Sequence, residues 1–229
     1  GPTFCSLLAA MLSRRFSKQV MGSHPSSVVL VITRCERELR QLSLSQALTD
    51  EMAAKRIELL KEVVPATQRV AAIFNPLHLD DELTFAKRGA DSLGIQLIPY
   101  AINSVADLDI ALRNASANGA DSLIIIASRL TNFVAPKIAQ YGQEKRLPII
   151  AAWREITASG ALLSYGPSRI FEAKRLAGYV QKVLNGAKPA DLPIEQPVKF
   201  ELVINVKTAK ALGLDIPFHI QPRADELIE

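Results

Sequence analysis

The sequence predicts an α/β protein, a parallel sheet with helices on both faces. Five strand-length apolar segments recur along the chain, RVAAIF (69–74), LIPYAI (97–102), SLIIIA (122–127), PIIAA (148–152) and ALLS (161–164), and amphipathic stretches separate them. That alternation suits strands joined by helical crossovers. Each segment also ends at a polar or aromatic residue: Asn75, Asn103, Ser128 with Arg129, Trp153 with Arg154, and Tyr165. In open parallel sheets small ligands sit outside the carboxyl ends of the strands. These end residues are therefore the candidate functional positions.

The first helix is expected in TDEMAAKRIELLKEVV, where Ala53, Ile57, Leu60 and Val64 recur at helical spacing, Thr49 or Asp50 caps and Pro65 stops it. After RVAAIF, Asp80 or Asp81 caps a helix whose Leu83, Ala86, Ala90 and Leu93 form one buried stripe and which Gly94 ends. The next helix opens at Ser104, with Asp107 completing a loose capping box, and carries Leu108, Ala111, Leu112 and Ala115 to Gly119. A third helix is expected from Thr131 or Asn132, because Pro136 fits best within a first turn. The longest helix spans 168–184 with Ala173, Leu176, Ala177, Val180 and Leu184 on its buried face. VKFELVI (198–204) alternates as a strand with one wet face does, which places it at an edge or crossover.

Composition narrows the function classes. The chain has 229 residues, 48% apolar and 22% charged, as in ordinary globular proteins, and no apolar run reaches the length of a membrane-spanning helix. The net charge of +4 arises mostly in residues 1–50, which carry +3, so it is not read as a nucleic-acid footprint. Both cysteines, Cys5 and Cys35, lie in that leader, and the body offers no thiol nucleophile or Cys-based metal site. The leader's FCSLLAAML (4–12) has its basic residues after it, the reverse of a secretory signal, and SSVVLVIT (26–33) suits one strand. No phosphate loop, dinucleotide fingerprint or nucleophile elbow is present. His24, His78 and His219 lack metal-ligand spacing, and the acidic groups 58–62 and 80–82 read as solvated faces and caps. No cofactor, metal or catalytic residue is assigned.

Several stretches together carry a resemblance: KRIELLKEVVP (55–65), FNP (74–76), REITASGALLSYGP (154–167), NGAKPADLPIEQPVKFELVINVKTAKALGLDIP (185–217) and RADELIE (223–229). In this order they resemble the C-terminal part of ABC-transporter substrate-binding proteins of the tryptophan/tyrosine type. The resemblance runs from about residue 44 to the end of the chain. It implies a type I periplasmic-binding fold, in which two α/β lobes joined by hinge-crossing segments close on a small molecule, an amino acid or related metabolite, without chemistry. The expected organisation is then an atypical leader at 1–46, a remnant of the first lobe or disordered; a second-lobe α/β domain at 47–160; a strand and helix returning to the first lobe at 161–193; and a hinge crossover with C-terminal tail at 194–229. A membrane permease is the implied partner, the periplasm or cell envelope the implied location, and no nucleic acid is involved. If the first lobe is incomplete, the 161–193 segment is expected to expose apolar surface and promote homodimerisation.

Seven residues are the candidate ligand contacts. Asn75, before Pro76, either caps a turn or offers an amide to an amino-acid head group. Ser128 and Arg129 either supply a hydroxyl and a guanidinium suited to a carboxylate or leave the arginine simply facing solvent. Trp153 is either a stacking wall or core filler, and Arg154 either meets a ligand or pairs with Glu155. Tyr165, with Gly166, belongs to the SYGP turn and either supports the hinge or lines the cleft. Two other readings stand beside this one. A Rossmann-like or flavodoxin-like enzyme domain needs a phosphate-cradling glycine loop after the first strand, where FNPLHLDDE is acidic and glycine-free. A sensory ligand-binding domain of the same fold needs an attached signalling segment.

Overall fold

A computed structural model describes residues 44–78, 81–187, 192 and 199–229. The leader's strand expected at 26–33 and both cysteines lie outside the described residues, as does Asp80. The chain divides into two compact units, one of Ser45–Leu176 with Pro197–Glu229 and one of Gly1–Leu44 with Ala177–Gln196. The sheet and the candidate residues belong to the first.

That unit follows the predicted alternation. Helix α1 (Leu44–Val63) leads to β1 (Arg69–Phe74), α2 (Glu82–Ser92), β2 (Gln96–Ala101), a 3-10 turn at Val105–Asp107, α3 (Leu108–Ala117) and β3 (Ser122–Ile125). Then come α4 (Arg129–Lys145), β4 (Ile149–Ala151), the short α5 (Arg154–Ala158), β5 (Leu163–Pro167) and α6 (Arg169–Leu184), which from Ala177 on belongs to the other unit. Strand β6 (Phe200–Asn205), α7 (Val206–Leu212), a 3-10 turn at Gln221–Arg223 and β7 (Glu226–Ile228) finish the chain. The strands form one sheet in the order β2-β1-β3-β4-β5-β6-β7. Neighbouring strands are parallel except β5 and β6, which run antiparallel with Tyr165 opposite Leu202.

The central strands are apolar throughout because each face meets a helical layer. Val70, Ala72, Ile124 and Ile150 pack with Ile57 and Leu60 of α1, Ala86 and Ala90 of α2 and Ala209 of α7. Ala71, Ile73, Leu123, Ile125 and Ile149 pack on the opposite face with Leu108 and Leu112 of α3, Ile138 of α4 and Ile156 of α5. The period of two along each strand thus divides the core into two layers. The capping box predicted at Ser104 forms, with Asp107 Oδ2 accepting from the Asn103 and Ser104 amides at 2.9 Å each. Those two backbone hydrogen bonds hold the Asp107 carboxyl below its ordinary pKa.

The structure corrects several expectations. Helix α1 begins at Leu44, so Thr49 and Asp50 lie inside it rather than capping it. Leu93, expected in the buried stripe of α2, is exposed after the helix has ended. Helix α4 starts at Arg129, which places Pro136 well inside it. The missing N–H removes one ladder bond, a cost of roughly 3 kcal/mol. Continuation past it is favoured by burial of Val134, Ala135, Ile138 and Ala139 on either side. Strand β6 is internal, not an edge, since β7 pairs with it and Val203, Ile204 and Asn205 are buried. A neighbour supplied by the last residues of the chain is invisible in the alternation of VKFELVI. Strand β5 lies in this same sheet between β4 and β6, where the resemblance implies a strand returning to the first lobe. Helix α6 has no buried residue, and Ala173, Ala177 and Leu184 of its expected buried face are exposed. Helical periodicity reports an apolar stripe and says nothing of what covers it.

Candidate functional site

The sheet order fixes where a site belongs. From β1 the chain moves outward to β2 and then returns to place β3 on the other side of β1, so the topology switches between β1 and β3. Loops leaving those two strands diverge to opposite faces and open a crevice at their carboxyl ends. Asn75 and Pro76 follow β1, and Ser128 and Arg129 follow β3. Trp153 and Arg154 follow β4 one strand further along, and Tyr165 lies within β5.

Much of the polar equipment at this edge is engaged internally. Asn75 Oδ1 accepts from the Leu77 amide at 2.9 Å, and the Asn75 carbonyl accepts from the His78 amide at 3.0 Å, which makes a tight turn around exposed Pro76. The Asn75 side-chain amide nitrogen has no partner among the described residues. Ser128 is buried and caps α4: its Oγ accepts from the Thr131 amide at 3.0 Å while Thr131 Oγ1 accepts from the Ser128 amide at 2.9 Å. Arg129, the first helical residue, is exposed.

Trp153 caps α5 with extended backbone, and its ring is half-buried against the core layer that holds Ile156. The Arg169 guanidinium lies 4.9 Å from the ring centroid, a stacking arrangement. Arg169 also approaches Glu155 at 3.8 Å. Arg154 does not pair with Glu155. Its Nε and Nη2 donate to Glu226 Oε2 and Oε1 at 2.6 and 2.5 Å, a two-pronged clamp from α5 to β7. These hydrogen bonds, with the attraction between the charges, raise the Arg154 pKa and lower that of Glu226.

Beneath the switch point lies a buried ion pair that the acidic pattern did not reveal. Glu82, the first residue of α2, was expected on a solvated face; it is 1% exposed and its Oε1 accepts from Arg56 Nη1, on a side chain 0% exposed. Glu82 Oε2 accepts from the Ala127 amide at 2.9 Å, and Arg56 Nε donates to the Tyr165 carbonyl at 2.7 Å. Arg56 Nη2 has no hydrogen-bond partner among the described residues. The Ala127 amide, just ahead of α4, is the kind of donor a phosphate would use at a switch point. A carboxylate already occupies it. That argues against the nucleotide-binding alternative.

Tyr165 lines a hollow of about 200 Å³ with Lys55, Leu59, Leu202, Arg223 and Asp225. Its ring lies 6.3 Å from that of Phe200. Gly166 is needed for close packing, since a Cβ there would fall 2.2 Å from the Ala152 carbonyl oxygen. Along the carboxyl edge, exposed apolar side chains accompany the candidate residues: Leu77 after β1, Val105 after β2, Phe133 one turn into α4 and Ile170 after β5. Sequence reasoning missed Arg56, Glu82, Arg169 and Glu226. Only Glu82 carried a signal, its place at the start of a helix. No group of three or more metal-ligating side chains occurs among the described residues.

The arrangement defines a class: an open α/β unit whose candidate site is a loop-built, partly apolar carboxyl edge. The chain belongs to the ABC transporter substrate binding protein family, which it matches over residues 46–228. It is 22% identical over 166 residues to the tyrosine-binding protein of Clostridioides difficile, covering 70% of this chain and 47% of that protein. It is also similar in fold to an ABC domain from Streptococcus pneumonia crystallised in complex with L-Trp, with a TM-score of 0.69, 22% identity, and coverage of 77% of this chain and 60% of that one. A conserved domain protein from Vibrio cholerae gives the same TM-score and identity, with 76% and 60% coverage. The chain thus spans about half the length of the curated relative and three-fifths of each of these structures. The resemblance read from the sequence motifs and the α/β fold it implied are both borne out.

Proposed function

We propose that this chain forms one wall of the ligand cleft of a solute-binding component of an ABC importer. The ligand is an amino acid or related small metabolite with an apolar or aromatic side chain. Binding involves no bond made or broken, and a membrane permease reads the closed state from the cell-envelope side. No described helix is long and apolar enough to cross a membrane. One observation carries the reading: the carboxyl edge carries Asn75, Arg129 and Trp153 with exposed Leu77, Val105 and Phe133 in the loops and first helical turns that follow consecutive strands. A few polar groups among apolar side chains suit recognition of a small molecule. The names of the tyrosine-binding relative and the L-Trp complex suggest the ligand class. Residues 47–160 correspond to a second lobe whose sheet is continued by β5 and β6, the helix after β5 with the segment to 193 to the reach toward the first lobe, and 194–229 to a hinge crossover and tail.

The test is a thermal-shift and calorimetric screen of the chain against the twenty amino acids and small organic acids. A ligand at 100 times its Kd adds about 2.7 kcal/mol to stability. For a domain of this size that raises Tm by roughly 5–10 °C. A ligand-specific shift that Trp153→Ala weakens supports the proposal. A cooperative melt indifferent to every compound overturns it for this chain.

A further inference from the structure

We infer that Arg56 and Glu82 are positioning residues for ligand recognition at the carboxyl edge, setting the three candidate segments in one geometry. The inference rests on the proposed function for its binding readout. It rests on geometry alone for the rest. Glu82 opens α2 directly after the loop that holds Asn75 and Pro76. Its Oε2 takes the Ala127 amide, one residue ahead of Ser128 and Arg129. Its Oε1 takes Arg56, whose Nε holds the Tyr165 carbonyl in β5. One pair of side chains therefore links the start of α2 and the end of β3 to β5, and α1 supplies the post from which they are held.

The pair is poorly suited to a purely stabilising role. Both groups are withdrawn from water, where desolvation offsets most of the attraction. Arg56 Nη2 is buried without a hydrogen bond among the described residues, an added penalty that an apolar pair of similar size avoids. What an apolar pair does not provide is direction. The guanidinium fork and the carboxylate each bind one backbone group at fixed angle while binding each other. The Ala127 amide and the Tyr165 carbonyl consequently cannot shift independently. Ser128, as cap of α4, transmits that placement to Arg129 and to the first turn of the helix.

The experiment compares wild type, R56M/E82L and R56K. The double variant substitutes apolar side chains of related size, and R56K retains the charge opposite Glu82 while removing the fork to Tyr165. Leu112→Ala, in the core layer on the opposite face of the sheet, serves as a control for general destabilisation. Melting temperature, amide hydrogen exchange at Ala127 and Ser128, and affinity for L-tryptophan and L-tyrosine are measured on each. The expected result is a double variant that melts close to wild type but exchanges its Ala127 amide at least tenfold faster relative to Ala72 and Ile124. It should also bind the probe at least tenfold more weakly. R56K should retain the Ala127 protection and lose affinity at least threefold. If the double variant does not fold, loss of affinity in R56K beyond that of an equally destabilised Leu112→Ala supports the inference, and an equal loss overturns it. Unchanged Ala127 exchange and unchanged affinity in a folded double variant overturn it outright. If neither probe binds wild type, the proposed ligand class fails, and the exchange comparison alone decides the positioning role.

Discussion

Gly166→Ala is the substitution whose outcome follows most directly from the packing. The position lies in β5 opposite Glu201 of β6, and its other side faces the segment leaving β4. An added Cβ would stand 2.2 Å from the Ala152 carbonyl oxygen and 3.1 Å from the carbonyl carbon, where real Cβ contacts essentially never fall below 3.0 Å. The obstacle is backbone, not the end of a flexible side chain. Ala152 is itself buried, so relief requires moving the β4 end away from β5 or twisting β5 against β6. Inserting a methyl into a packed site costs about 1–3 kcal/mol, and a backbone obstacle belongs at the upper end. For a unit of this size about 3 kcal/mol lowers Tm by roughly 6–12 °C. Because Tyr165 is the adjacent residue and its carbonyl is held by Arg56, the displacement should also loosen the buried pair. The assay is thermal denaturation followed by far-UV circular dichroism. A variant that melts at or above the wild-type temperature would refute the packing argument.

Two further substitutions probe other parts of the chain. Gly178→Ala should do the opposite of Gly166→Ala, because Gly178 is inside α6 and its Cβ would meet nothing within 4 Å. Helical propensity then stabilises α6 by about 0.5–1 kcal/mol, visible as greater helical signal in moderate urea, and a loss of signal would show that the position is not helical in solution. Glu226→Gln tests the clamp to Arg154. The Glu226 pKa is lowered in the folded state, so the pair's contribution is complete above the ordinary glutamate range near pH 4.3 and fades as pH falls through the lowered folded value. Each side chain is 37% exposed, and solvent screening holds the contribution to roughly 0.5–1 kcal/mol. Wild type should therefore melt above the variant at neutral pH and coincide with it in strong acid. A gap of constant size across that range would show that the charge pair is not its cause.

The central strands and their helices were legible because their signals are local. RVAAIF is a strand from its first residue to its last, and the Ser104 box forms where its spacing places it. The carboxyl-edge positions were legible too, since a strand's end can be read from where its apolar run stops. What those residues do there was not. Ser128 reads as a hydroxyl available to a ligand until Thr131, three residues on, completes a cap with it. Arg154 reads as a neighbour of Glu155, whereas its partner is Glu226, 72 residues away. Arg56 and Glu82 are separated by a strand and a loop, and no periodicity links a helical arginine to a helix-opening glutamate. Position along the chain reveals which groups are near an edge; only the tertiary structure reveals which are already engaged.

That distinction bears on how the edge would recognise a ligand. Asn75 Oδ1, the Ser128 hydroxyl, the Ala127 amide, the Tyr165 carbonyl and both prongs of Arg154 are held by bonds within the protein. None is a simple open hand for a solute. Their effect is to fix the loops that present the Asn75 amide nitrogen, the Trp153 ring with Arg169 against it, and the exposed side chains of Leu77, Val105 and Phe133. Groups held in advance lose less conformational freedom when a ligand arrives, so a given contact yields more net affinity. A surface of this kind gains little from adding polar contacts and loses much from loosening the bonds behind it. Substitutions in the supporting network should therefore weaken binding more than their exposure suggests, and conservative exchanges among the exposed apolar residues should alter ligand preference more than stability.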